Sequence, residues 1–236
     1  VEKVIVTMQR AASEETWCAR LRGEVADRLL GLDVAGLAVN VRDDAVRDAV
    51  LTLTTMDPPV VAVVSLWVRQ YYGDATRAAL DVLTGECERL AAYLVTESVP
   101  LPPPDHAGDR TPGLANVALL RRPADLDEAT WLRRWHVDHT AVAIATQSTF
   151  GYTQNTVVRA LTDGAPAVAA IVEENFPIEA TTDLHAFFGA ADDADLSDRM
   201  NRMLASTSAF GADRDVDTVP TSRYPLRMPF ATAVAP

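Results

Sequence analysis

Two histidines and two tryptophans fall within nine residues, Trp131-Leu132-Arg133-Arg134-Trp135-His136-Val137-Asp138-His139. Apolar residues recur at three- and four-residue steps, which predicts one amphipathic helix from Asp127 to about Gln147. Trp131, Leu132, Trp135, His139 and Val142 share its apolar face. An imidazole there enters an apolar layer, where it can hold a pKa near neutrality for general acid–base work. A structural histidine bonded to a backbone carbonyl meets the same pattern. His136 lies three residues earlier on the flank. That spacing can chelate a metal, but no third ligand is marked, and no metal site is read. Asp138 diverges from His139 by about 100° and reads as a surface charge. The polar strand Gly151 to Leu161 follows, with Tyr152 and Asn155 on opposite faces. One of the two can face the same space as His139 and polarise a carbonyl. Glu173, on a later strand, is either a base or a solvated carboxylate. The candidates are thus His139 and Tyr152 for catalysis, and Trp135, Asn155 and Glu173 for substrate binding. The sequence has no Gly-rich phosphate loop, nucleophile elbow or HExxH motif.

The elements that must position these residues come in a repeating order. Glu2 to Gln9 alternates like a strand. Glu14 to Leu30 has helical spacing, with Ser13 as its N-cap and Gly31 as its end. Val34 to Val41 and Val60 to Val68 read as strands, with strand character also at Val50 to Thr54. Thr76 to Leu90 reads as a helix burying Leu80, Leu83, Cys87 and Leu90, and Tyr93 to Val99 closes the set. The second part runs from the strand Leu114 to Leu120, through the long helix capped by Asp125 and Glu128, to the strands Gly151 to Leu161 and Ala169 to Phe176. A short helix at Asp183 to Phe188 precedes a longer one at Ala194 to Phe210, with Leu196, Met200, Met203, Leu204 and Thr207 turned inward. Val216 to Tyr224 ends the series. Both parts read β-α-β-β-α-β.

Between them lies a proline-dense linker, with Pro102, Pro103, Pro104 and Pro112. Proline at that density excludes helix. The expected organisation is residues 1–101, a linker over 102–113, and residues 114–236. Glu15-Thr16-Trp17 matches Ala129-Thr130-Trp131, and Thr96-Glu97-Ser98-Val99-Pro100-Leu101 matches Thr221-Ser222-Arg223-Tyr224-Pro225-Leu226, as in a tandem repeat. Each half is a small antiparallel sheet with helices on one face. Two such halves can cover each other's bare faces, which makes the fold class α+β: two ferredoxin-like units packed as one barrel. A small-molecule cavity is then expected between sheet and helices.

The bulk composition narrows the partners. The formal charge is −12, and the sequence pI is about 4.7. Such a surface repels phosphate backbones and anionic membranes, so neither nucleic acid nor membrane is expected. Cys18 and Cys87 are too few for a disulfide framework and fit no zinc spacing. With no secretory leader and no long apolar run, the cytoplasm is the expected compartment.

A family resemblance rests on several short motifs in order. These are Leu119-Leu120-Arg121-Arg122-Pro123, Trp135 with Asp138-His139, Tyr152-Thr153-Gln154-Asn155, Asp163-Gly164, Ile171-Val172-Glu173-Glu174-Asn175-Phe176, and Pro220-Thr221-Ser222-Arg223-Tyr224. Residues 114–226 resemble the EthD domain family of the dimeric α/β-barrel superfamily; the first half follows by the repeat. Two departures stand out. Asn175 sits where the family often has Trp, and Thr140-Ala141 sits where Pro often follows the His. In the first half Leu21, Glu24 and Val25 occupy the places of Trp135, Asp138 and His139, which leaves one site per chain.

The resemblance implies a ferredoxin-like unit per half. Relatives include cofactor-free monooxygenases, isomerases, polyketide cyclases and haem enzymes, many of them homodimers. The expected function is therefore a barrel without cofactor that binds a hydrophobic, carbonyl-bearing or phenolic molecule, with His139 moving a proton. Isomerisation, cyclisation and oxygenation all begin with that step. Two alternatives stand beside it: a non-catalytic binding protein with a structural His139, and a haem protein with His139 as axial ligand. A homodimer is also compatible with the resemblance.

Overall fold

The computed structural model describes residues 1–104 and 108–229. Positions 105–107 of the expected linker and 230–236 of the expected second unit lie outside the described residues. Eight strands form one closed antiparallel barrel in the order β1-β3-β2-β8-β5-β7-β6-β4. They are β1 (Glu2–Gln9), β2 (Gly36–Val41), β3 (Val60–Val68), β4 (Arg89–Leu101), β5 (Leu114–Leu120), β6 (Gly151–Ala160), β7 (Ala170–Phe176) and β8 (Asp217–Arg227).

Each half is a ferredoxin-like β-α-β-β-α-β unit. The first contributes β4-β1-β3-β2 and the second β8-β5-β7-β6. The halves join at two seams, β2 with β8 (Val39 opposite Tyr224) and β4 with β6 (Thr96 opposite Thr156). The two seams relate the halves as a pseudo-dimer, and closure leaves no sheet edge unpaired.

The alternation of side chains along the strands produces two apolar layers. One set fills the barrel: Ile5, Val63, Tyr93, Val117, Leu119, Ile171 and Val219. The other set faces outward and is covered by helices. In the first half, α1 (Glu15–Arg20), a π-helical turn at Leu21–Val25 and α2 (Ala26–Leu30) form one continuous helix. Trp17, Leu21, Val25 and Leu29 seat it on Val4, Val6 and Val39, and Ala79 and Leu83 bring α3 (Asp74–Thr84) to the same layer. In the second half, α4 (Glu128–Arg133), a π-helical turn at Arg134–His139 and α5 (Thr140–Thr146) again form one helix. Trp131, Trp135 and Ala143 pack it on Ala118, Leu120 and Val172. A short helix, α6 (Leu184–Phe188), and a longer one, α7 (Asp193–Ser208), complete that layer.

Several local expectations are corrected. Val50 to Thr54 forms no strand. Leu53 makes one isolated bridge to Thr218, and the Asp217 carboxylate takes the Thr55 amide at 2.5 Å, which holds the segment as a loop. The helix read as Thr76 to Leu90 stops at Thr84, where Gly85 follows, because Arg89 and Leu90 pair with Gln9 and Met8 of β1. Cys87 therefore lies outside the helix. Ser13 does not cap α1; its hydroxyl donates to the Arg42 carbonyl, and Glu14 holds the cap position. Asp127, not Asp125, caps α4, accepting the Thr130 amide at 2.9 Å. On α7, Met200 and Leu204 are exposed rather than inward. That helix rests on the layer by a narrow stripe, and residues four apart on its outer side remain in solvent. Among the described residues, no helix is long and apolar enough to cross a membrane.

Candidate functional site

The outward face of β5, β6 and β7 carries three polar residues in one row. Asn116 stands opposite Glu174, and Glu174 opposite Tyr152. Pairing at these positions brings neighbouring side chains on one face to within about 5 Å at Cβ. Above this row, the helices leave a cavity of about 210 Å³. Trp135 and His139 enter it from the π-helical turn, Phe187 and Phe188 from α6, and Phe210 from beyond α7. A π turn widens the local spacing of a helix and recurs at functional sites. The loop Leu51–Leu53 of the first half closes the cavity from the side.

His139 is buried; its Nδ1 lies 2.9 Å from Ser206 Oγ and its ring 4.9 Å from Phe210. Burial lowers its pKa to about 4, so the ring is neutral at physiological pH. Glu174 is displaced the other way. Burial pushes its carboxyl up to about 7, against the opposing effect of the Asn116 amide. Burial also raises Tyr152, and the neighbouring Glu174 adds to the shift. The cavity therefore holds a carboxyl poised between its two protonation states beside a neutral imidazole and a phenol.

Three polar atoms of the cavity lining are buried without a hydrogen-bond partner among the described residues: Asn116 Oδ1, Trp135 Nε1 and Gln147 Oε1. An unpaired buried polar group costs about 1–3 kcal/mol. Three around one cavity mark a space suited to a guest with polar atoms of its own.

The predicted site residues divide between two compartments. His139, Tyr152 and Trp135 line this cavity. Asn155 and Glu173 lie on the other side of the sheet, inside the barrel. There Asn155 Nδ2 donates to Glu173 Oε1 at 3.1 Å, and Lys3 Nζ donates to the same oxygen at 2.8 Å. Glu174, Asn116 and Gln147 did not emerge from the sequence. The adjacent pair Glu173-Glu174, following the apolar run Ala170-Ile171-Val172, was the available signal, since one of two successive strand residues must face each way. His136 is half-buried against Trp135, with Nε2 3.4 Å from Thr156 Oγ1. Among the described residues, no group of three or more metal-ligating side chains assembles. In the first half, Leu21 and Val25 stand on the equivalent π turn and are buried in apolar core.

No protein-family model matches the sequence, and no curated protein does. Solved structures resemble it across nearly their whole length. An anthrone oxidase-like protein superposes with a TM-score of 0.53 at 10% identity, covering 99% of this chain and 97% of its own. The chain has the dimeric α/β-barrel fold. Both halves of that barrel reside here in one polypeptide. A candidate monooxygenase from Lactobacillus acidophilus gives a TM-score of 0.46 at 9% identity, covering 94% and 93% of the two chains. A candidate chlorite dismutase gives 0.47 at 11%, covering 97% and 96%.

Proposed function

We propose that the cavity of the second half binds a small aromatic or otherwise hydrophobic molecule bearing a phenol or carbonyl, and that Glu174 and its neighbours move a proton on it. The observation that carries this reading is the Asn116–Glu174–Tyr152 row on the floor of an aromatic cavity. A carboxyl poised near neutrality suits a general base. Tyr152 and the Asn116 amide offer hydrogen bonds to the oxyanion that forms when a phenol or an enolisable ketone loses its proton. His139 is held by Ser206 and, with its pKa lowered to about 4 rather than kept near neutrality, orients the guest as a neutral ring while Glu174 moves the proton. Isomerase, cyclase and monooxygenase chemistry share this first step.

Size favours a guest of one or two rings, since about 150 Å³ holds a benzene. A cavity of about 210 Å³ lies below the range of about 300–1,000 Å³ usual for drug-sized ligands, which favours a small guest over a tetrapyrrole. A tandem duplication is supported by the matching strand orders and by the π turn in the first helix of both halves, while the EthD reading rests on the sequence motifs of residues 114–226. We assign the protein to the cytoplasm, with which its two free cysteines are compatible. Barrel closure is complete within the chain, so a homodimer would use the outer surface.

The test is binding of 1-naphthol, followed by fluorescence of the tryptophans beside the cavity. Ala118→Phe places a ring in the cavity from β5, where Ala118 lines it. Wild type should bind and this variant should lose at least tenfold in affinity with its circular dichroism unchanged. Equal binding by both proteins would remove the cavity from the reading.

A further inference from the structure

The opposite face of the sheet carries a second built site at one mouth of the barrel. Lys3, Trp67, Glu97, Thr153, Glu173 and Arg223, from six strands, form one polar layer around a cavity of about 260 Å³. Two proline segments roof it. Pro103, beyond β4, packs on Gly151, and Pro229, beyond β8, packs on Gly36. A Cβ on either glycine would come within 2.8 Å of the proline, so both roofs depend on a bare backbone at the start of a strand.

The charges in this layer are unevenly satisfied. Lys3 Nζ bonds to Glu97 Oε1 at 2.6 Å and to Glu173 Oε1 at 2.8 Å, and lies 4.8 Å from the centre of the Trp67 ring. Two of its three donors are thus taken by carboxylates. Arg223 is buried like Lys3 and Glu173, and its charge acts on Glu173, but among the described residues it forms no salt bridge within 4 Å. Among the described residues its one side-chain hydrogen bond is a long one, Nη1 to Thr111 Oγ1 at 3.4 Å. A guanidinium has five donors, and Arg223 lines the cavity. Facing it, Glu173 uses only Oε1 in bonds to described residues. Beside Glu173, the Asn155 Oδ1 is buried and without a partner.

We propose that this mouth binds a zwitterionic α-amino acid, with its carboxylate on Arg223, its ammonium on Glu173 and Glu97, and its side chain against Val99, Met228 and the prolines. Two cations and two carboxylates already balance here. A simple anion or cation would leave a net charge beside the buried Lys3, Glu173 and Arg223, which is costly, whereas a zwitterion adds none. Planar pairing of guanidinium with carboxylate favours Arg223 over Lys3 as the anion anchor. This site is separate from the aromatic cavity and independent of the function proposed for it.

Isothermal titration of the full chain with glycine, L-leucine and L-phenylalanine tests this, with acetate and n-butylamine as half-ligands. At least one amino acid should bind with a Kd below about 1 mM, and each half-ligand at least tenfold more weakly. Arg223→Gln should weaken binding tenfold or more. Val99→Trp, which fills the mouth without altering a charge, should do the same and answers if R223Q does not fold. Ala118→Phe should leave this binding intact. The proposal is overturned if none of the three amino acids binds, if acetate binds as well as they do, or if V99W binds like wild type.

Discussion

Replacing Glu174 by glutamine should stabilise the protein at pH 8 and change little at pH 4.5. The amide keeps the volume of the carboxyl and can still bond with Asn116. What it removes is an ionisation that burial opposes. The Glu174 pKa rises from 4.5 to about 7 in the folded state. Below the unfolded-state value both states hold the proton, and the group costs nothing on this account. Between about pH 4.5 and 7 the unfolded chain ionises first, so the fold loses stability as pH rises, and above the folded-state value the loss is complete. At 1.36 kcal/mol per unit, a shift of this size amounts to roughly 3 kcal/mol. For a chain of this length that corresponds to a Tm difference of about 6–12 °C. Urea unfolding of both proteins from pH 4.5 to 8.5 reads the effect as a difference curve that climbs through that window. Terms from other titrating groups cancel in the difference. A flat curve, or a variant destabilised equally at both ends, would refute the reasoning and return Glu174 to the status of an ordinary carboxylate.

His139 gives the opposite slope. Its pKa falls from 6.5 to about 4, so the fold loses stability as pH drops through that interval; His139→Gln should flatten the acid side of the Tm profile, and parallel profiles would contradict a buried neutral ring. Lys3→Met leaves Glu97 and Glu173 without their shared cation. Breaking a buried pair costs about 3–5 kcal/mol, and K3M/E173Q should recover part of it in guanidinium unfolding; a loss under 1 kcal/mol would mean that the layer is hydrated and loosely held.

Much of the architecture was legible in the sequence because its cause is periodic. Alternation marked the strands, three- and four-residue spacing marked the helices, and the shared Thr-Trp entry at Trp17 and Trp131 marked two like halves. The failures were local. The Ser13 and Asp125 caps were misplaced by one or two residues, since capping depends on which oxygen reaches an amide. Met200 and Leu204 fitted an apolar face that α7 does not bury, because periodicity gives a helix a face without saying how wide the contact is.

The site shows the same division. From the sequence, His139 shares the apolar face of its helix with Trp135, and Tyr152 and Asn155 take opposite faces of their strand. Which face meets the helices is a property of the closed sheet, and it sent Tyr152 to the cavity and Asn155 to the barrel interior. The same step separated Glu173 from Glu174. These adjacent, identical residues differ only in direction, yet Lys3 holds one ionised inside the barrel, and apolar helices press on the other until its carboxyl titrates near neutrality. Residue type is fixed along the chain, but the dielectric and the partners around it exist only once β5, β6 and β7 are in register.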